Sequence, residues 1–172
     1  MTQNTAWKNV EKSLKNLGAA KAINPEAILQ MRKAKLASLI RPAGYYNQKA
    51  KKLKIFSKWF LEDGRNKHTL SELRKSLLAL WGVGPETADS IALYAYNAPT
   101  FVVDAYTKRM CSVLGNDFAN YDECKKYFED MLKKSFQEIR RVLKPDGIAV
   151  IVYAHKSTEG WETLINSLLD SG

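Results

Sequence analysis

Three residues in the middle of the chain, Gly82, Val83 and Gly84, have the types and spacing of a phosphate-binding turn. Pro85 follows them, and proline is typical of the first turn of a helix. Glycine lets the backbone approach a phosphate group closely, and the N–H groups at a helix start attract the anion. Val83 is expected to pack between the two helices that flank the turn. The alternative is a structural turn in which the glycines serve only helix packing.

The elements that must position this turn are predicted to be a series of short helices. Apolar residues recur at helical spacing from Trp7 to Leu17, and Asn24 and Pro25 have the types of an N-cap and a first turn. The sequence TLSE at residues 69–72 is a capping box, which marks another helix N-terminus. After the turn, one helix begins at Pro85, and a long amphipathic helix is expected over YDECKKYFEDMLKKSFQEIRRVL, ended by KPDG.

The composition restricts the classes of protein. The 172 residues are about the length of one domain, without an apolar run of the roughly 18 residues that cross a membrane. The N-terminus lacks the pattern of a signal peptide. Cys111 and Cys124 are too few for a disulfide framework, and we expect two buried thiols in a reducing cytoplasm.

Positive charge is concentrated in the first part of the chain. Residues 1–127 carry 21 Lys and Arg against 11 Asp and Glu, whereas residues 128–172 carry 6 against 7. An excess of that size favours a polyanionic partner, because Lys and Arg displace counterions from phosphates. A lysine-rich solubilising surface would give the same charge.

The stretch LLALWGVGPETADSIALYAYNAPTFVVDAYTKR resembles the helix–hairpin–helix DNA glycosylases of the endonuclease III superfamily. MTQNTAWKNVEKSLKNL and RPAGYYNQKAKKL are similar to the 3-methyladenine DNA glycosylase branch, so that the resemblance covers residues 1 to about 127. It implies a mainly α, two-lobed helix–hairpin–helix fold. It also implies base-excision repair of double-stranded DNA with a damaged base, in the cytoplasm with the nucleoid and without a membrane.

The resemblance implies that Asp104 is the catalytic carboxylate. Breaking an N-glycosidic bond leaves positive charge on the sugar, which a nearby carboxylate stabilises, or it orients a water molecule for attack. Asp104 also precedes the helical stretch AYTKRM, where it has the type of an N-cap. The two roles are compatible.

Glu86 decides between two kinds of glycosylase. In bifunctional family members, the position two residues after the second hairpin glycine holds a lysine that forms a Schiff base with the sugar. A carboxylate cannot do amine chemistry, so the resemblance implies a monofunctional enzyme that leaves an abasic site. Lys108 is expected on another face, as a phosphate contact.

The resemblance also assigns residues to DNA and to the base. Gln3 is expected to fill the gap left by an extruded base, and Trp7 to form a wall on which an electron-poor alkylpurine stacks. Trp7 also fits the apolar stripe of its helix, so it could instead belong to the core. The expected DNA-binding set is Gly82, Val83, Gly84, Thr87, Gln3 and Lys108, and the expected base pocket contains Trp7 and Glu86.

No cofactor is expected. Two cysteines cannot bind the four-cysteine iron–sulfur cluster of many relatives, and no other metal site is predicted. The carbonyl groups of the hairpin remain a candidate site for a monovalent cation.

From about residue 131 the sequence resembles a late segment of an S-adenosylmethionine-dependent DNA methyltransferase, with RRVLKPDG before an apolar stretch. The cofactor-binding glycine loop and the catalytic motif of that family are missing, so no methyl transfer is expected. The predicted division is residues 1–127, glycosylase-like, and 128–172, a natural or constructed graft that completes the core. Residues 148–153 are predicted to form either a strand or a helix, and the sequence does not decide between the two. Seven side chains of the segment 128–172 are expected to be buried: Phe128, Leu132, Phe136, Ile139, Leu143, Ile151 and Leu164.

Two alternatives to the enzyme remain open. The resemblance begins at the segment around Gln3, and the helix that precedes this segment in the family, where part of the base pocket lies, is expected to be missing. The same scaffold could therefore be a DNA-binding module with impaired catalysis, or a recombinant scaffold without a selected activity.

Overall fold

The structure, a computed structural model, describes residues 1–144 and 146–148. Within that part of the chain all regular structure is helical, with no strand, which confirms the mainly α fold. The helices are α1 Trp7–Ala19, α2 Pro25–Gln30, α3 Lys33–Leu39, α4 Tyr46–Trp59, α5 Leu70–Leu78, α6 Pro85–Tyr96, α7 Ala105–Val113 and α8 Tyr121–Val142. A 3-10 turn, Arg41–Ala43, precedes α4, and a π-helical turn, Phe60–Gly64, follows it. None of the described helices is both long enough and apolar enough to cross a membrane.

The chain forms two compact units. One consists of Met1–His68 with Leu80–Gly82, and the other of Thr69–Ala79 with the chain from Val83 onward. The first unit has α1 to α4 around a core in which α4 packs against α2 and α3. The buried members of that core are Leu17, Ala22, Leu36, Ala37, Ile40 and Ala50.

The stretch from Asn24 to Ile40, where the spacing of Ile28, Leu29, Leu36 and Ile40 favours one helix, forms two helices. Asn24 caps α2 as expected, because its side chain accepts a hydrogen bond from the backbone N–H of Ala27 at 2.7 Å. The helix nevertheless ends before Met31. Lys54 of α4 donates to the carbonyls of Ile28 and Leu29 at 3.0 and 2.7 Å, so the last carbonyls of α2 find a partner without further helix.

In the second unit α5 begins with the predicted capping box. Thr69 accepts from the backbone N–H of Glu72, whose carboxylate accepts in turn from the N–H of Thr69 at 2.9 Å. A second core joins α7 to α8 through Val103, Cys111 and Cys124. The two cysteines are buried free thiols with their sulfur atoms 3.8 Å apart, as the composition predicted.

The long helix α8 is confirmed, but its apolar residues are not all buried. Phe136 is buried, and Phe128, Leu132 and Leu143 are half-buried. Ile139 is 37% exposed, and the prediction that it is buried is wrong because the described residues leave its side of the helix open. Ile151 and Leu164 lie outside the described residues, as does most of the stretch 148–153, for which a strand or a helix is predicted.

Candidate functional site

The hairpin between α5 and α6 uses its two glycines differently. Gly82 has φ +88°, and a Cβ atom there would lie 2.8 Å from Cδ of Lys52, so the position requires glycine. Gly84 has φ −97° and ψ 177°, a conformation open to any residue, and a Cβ atom there would meet nothing within 4 Å. Gly84 therefore leaves space at the start of α6 that its own fold does not use.

The first turn of α6 begins at Pro85, as predicted. Gly84 is the N-cap, and it has no side chain that could cap the helix. Glu86 is exposed in this turn, and Thr87 is half-buried. Val83 is half-buried and does not fill a core position.

Gln3 lies against the hairpin. Its Nε2 donates to the carbonyl of Gly82 at 3.3 Å, and Nζ of Lys52 donates to its Oε1 at 2.6 Å. The ammonium of Lys51 lies over the ring of Trp81, 4.2 Å from its centroid. Sequence reasoning missed both lysines and Trp81, although the basic run on α4 could have suggested them.

Trp7 is the first residue of α1 and is 62% exposed. The alternative that placed it in the core is therefore wrong. Its helix buries Val10 and Leu17 instead.

Asp104 is the N-cap of α7. Its Oδ1 accepts from the backbone N–H of Thr107 at 2.8 Å and from the Thr107 hydroxyl at 3.0 Å. Both bonds use the same oxygen, so Oδ2 of this half-buried carboxylate takes part in neither. Lys108 lies one turn further and is exposed. The carboxylate is thus held by the helix start with one oxygen outside the cap.

The second unit contains a buried polar network that the sequence did not predict. Asp89 of α6 is fully buried, and its Oδ1 accepts from Nε of Arg74 at 2.9 Å and from Nζ of Lys125 at 3.1 Å. The signal was a carboxylate on the apolar side of α6, beside Ala88 and Ala92. Its partners are distant in sequence, so periodicity did not identify them.

Electrostatics inside the network follow from burial and charge. Burial alone would lower the pKa of Arg74, but the hydrogen bond and charge of Asp89, together with Asp122, raise it. Burial raises the pKa of the Tyr121 hydroxyl, and the Asp89 carboxylate adds to the increase. The guanidinium therefore stays charged and the phenol neutral at neutral pH.

The cysteine pair does not form part of a metal centre in the described residues. No group of three or more His, Cys, Asp or Glu side chains that could hold a metal ion occurs there. Burial raises the pKa of the Cys124 thiol to about 11, and the neighbouring Cys111 contributes. The pair is a packed contact between α7 and α8.

The model of a protein family described as "HhH-GPD superfamily base excision DNA repair protein" matches residues 1–141. The chain belongs to the HhH-GPD superfamily. Because this match continues past residue 131, a change to a methyltransferase segment at that point is not shown.

Individual relatives of this HhH-GPD protein agree. A Methanocaldococcus jannaschii protein provisionally named a DNA repair glycosylase is 48% identical over 146 residues, which are 80% of this chain and 66% of the relative. Endonuclease III of Haemophilus influenzae is 32% identical over 65% of this chain and 51% of its own. The chain thus spans about half to two thirds of these curated relatives.

One solved structure covers nearly the whole chain. The 3-methyladenine DNA glycosylase MagIII of H. pylori, bound to 1,N6-ethenoadenine, has a TM-score of 0.73 and 29% identity, covering 98% of this chain and 79% of its own. An endonuclease III trapped in a covalent intermediate with DNA has a TM-score of 0.60 at 24% identity, covering 71% of this chain and 57% of its own. At that identity the second likeness supports the fold alone.

Proposed function

We propose that the protein is a monofunctional DNA glycosylase that hydrolyses the N-glycosidic bond of alkylated purines, of the 3-methyladenine type, in double-stranded DNA. Membership of a base-excision repair superfamily and the likeness to a 3-methyladenine glycosylase support it. The single observation that carries it is Asp104, whose Oδ1 is fixed by Thr107 while Oδ2 stays outside the cap. Such an enzyme works where chromosomal DNA is, which in a bacterial or archaeal cell is the nucleoid.

The chemistry assigned to Asp104 is electrostatic and positional. As the base leaves, positive charge develops on the deoxyribose, and a carboxylate near the sugar stabilises that charge or orients the attacking water. The two hydrogen bonds from Thr107 fix the side-chain torsions before DNA arrives. A carboxylate already held in place needs little rearrangement during the reaction.

The hairpin is proposed to bind the DNA backbone. Gly82, Val83 and Gly84 bring the chain close to a phosphate, the first N–H groups of α6 around Thr87 attract it, and Lys108 adds a charge contact. Gln3 is proposed to fill the space of the extruded base. Its bonds to Gly82 and Lys52 place it at the hairpin before DNA binds.

Trp7 and Glu86 are each proposed to contact the damaged base. An exposed indole on the first turn of α1 presents a π face, on which a positively charged alkylpurine stacks favourably. Glu86 is exposed, and its carboxylate suits a cationic base.

A monovalent cation at the hairpin carbonyls would compete with hydrogen bonds that these carbonyls already accept. The carbonyl of Gly82 accepts from Gln3, and that of Gly84 accepts from the N–H of Ala88 at 2.9 Å. No step of the proposed reaction uses such an ion.

The division of the chain into residues 1–127 and 128–172 remains a prediction.

Incubation with methylated duplex DNA tests the proposed function. Free methylated purines separated by chromatography are the expected product, with 3-methyladenine released faster than unmodified adenine. Tight binding of the duplex without any released base would support the binding module instead and would contradict the enzyme.

The absence of an amine at Glu86 predicts that strand cleavage does not accompany base release. Borohydride should trap no covalent complex with a lesion-containing duplex, because a carboxylate cannot form an imine with the sugar. The adduct is measured as a shifted band on a denaturing protein gel. Glu86→Lys is the matched variant: even weak trapping with it shows that the assay detects an imine at this position, whereas trapping by the wild-type chain would refute the assignment.

Replacing Gly84 with leucine should weaken binding to every duplex, damaged or not, by roughly tenfold or more, the loss of one charge-assisted hydrogen bond. The fold should be unchanged because the position is open and its φ is ordinary. Fluorescence anisotropy against salt measures the change, since binding should fall with a log–log slope of about −0.9 per phosphate contact.

Gly82→Ala is the contrasting variant for that experiment. An alanine at φ +88° has a strained backbone and its Cβ atom meets Lys52, so this variant should melt at a lower temperature than the wild-type protein. Weakened binding to one DNA sequence only, in Gly84→Leu, would argue against a phosphate contact.

A further inference from the structure

The residues that connect α6 to α7, 97–104, have no helical structure, and Asp104 stands at their end. We propose that α8 is the positioning element for Asp104: Tyr121 and Lys125 fix the segment 100–103 and thereby set the place of the carboxylate. The inference rests on the proposed function, in which Asp104 acts on the sugar.

Tyr121 holds the residue before Asp104. Its hydroxyl oxygen accepts from the backbone N–H of Val103 at 3.1 Å, and Val103 is fully buried. A buried N–H without a partner is costly, so this bond selects one position for the backbone that leads into Asp104.

Lys125 holds the same segment one turn further along α8. Its ammonium donates to the hydroxyl of Thr100, which is buried, and at 3.1 Å to Asp89. A third contact comes from Glu129, whose carboxylate accepts from the backbone N–H of Phe101 at 3.3 Å. Three successive turns of one helix thus bind three of the four residues that precede Asp104.

Lys125 is itself bound to a carboxylate that is fully buried. Asp89 joins Lys125 of α8 to Arg74 of α5, and Asp89 itself belongs to α6. A shift of α8 would separate a buried carboxylate from its cations, which is unfavourable. The same shift would move Asp104, and a displacement of about 1 Å at a reacting group can cost a hundredfold in rate.

Tyr121→Phe tests this positioning role by removing one hydroxyl. The single-turnover rate of base release is expected to fall about tenfold to a hundredfold, with unchanged affinity for the duplex. Amide hydrogen exchange should accelerate at Val103, which loses its acceptor, and at Thr107, whose N–H reports the position of the Asp104 side chain.

Two controls separate position from stability. Tyr127→Phe makes the same substitution on the same helix, where the ring packs against Phe118 and Phe128, and should change neither rate nor exchange at Thr107. Ile40→Val lowers stability in the core of the other unit and should leave the rate unchanged.

Unaltered protection of Thr107 in Tyr121→Phe would overturn the inference, as would a rate loss that Ile40→Val reproduces at an equal loss of melting temperature. A wild-type chain that releases no base contradicts the proposed function instead. The exchange of Thr107 then still shows whether Tyr121 places Asp104.

Discussion

Asp104→Asn is expected to slow base release by about a hundredfold to a thousandfold while leaving duplex affinity and melting temperature nearly unchanged. Asparagine caps helices as well as aspartate does, and its oxygen can still accept from the N–H and the hydroxyl of Thr107. The substitution therefore removes the negative charge and little else. The rate is measured under single turnover, with enzyme in excess over a duplex that carries one lesion.

Asp130→Asn is the charge-matched control for this variant. Asp130 is exposed on α8, and the same change of charge there should leave the rate of base release unchanged. If Asp104→Asn released base at the wild-type rate, the role of Asp104 would be that of a helix cap alone.

Asp89→Asn should have the largest effect on stability, a loss of about 3 kcal/mol or more in the free energy of unfolding. The substitution keeps the shape of the side chain but leaves Arg74 and Lys125 without their buried counter-charge. The two cations, whose side chains are only 22% and 12% exposed, would then repel each other with little compensation from water. Urea denaturation followed by circular dichroism gives the difference, provided that the slope against urea stays constant.

Asp122→Asn provides the comparison, because it removes the other carboxylate that contacts Arg74. Its side chain is 65% exposed, and an exposed ion pair contributes about 0–1 kcal/mol. Equal losses in the two variants would show that burial of Asp89 adds nothing.

The local features of the fold could be predicted from the sequence. Asn24, Thr69 and Asp104 cap helices as expected, because capping depends on a few neighbouring residues. The hairpin turn could also be predicted, because Gly82 has the positive φ that glycine favours and Pro85 begins α6.

Features that depend on distant residues could not be predicted. At the break between α2 and α3, the carbonyls of Ile28 and Leu29 accept hydrogen bonds from Lys54, which lies more than twenty residues further along the chain. The position of Gln3 depends on Gly82 and Lys52, and the buried Asp89 depends on Arg74 and Lys125. Hydrophobic periodicity contains no information about such polar pairs. It also overestimated the burial of Ile139, since a stripe predicts a face and not what covers it.

Hydrolytic base removal is tested most directly by a time course on one end-labelled duplex with a single 3-methyladenine, resolved on denaturing gels with and without alkali. Strands are expected to remain intact during the reaction and to break at the lesion only after alkali, in proportion to the base released. Strand breaks without alkali would contradict the assignment of Glu86. If the protein binds the duplex but produces no alkali-labile sites, the result would contradict glycosylase activity itself.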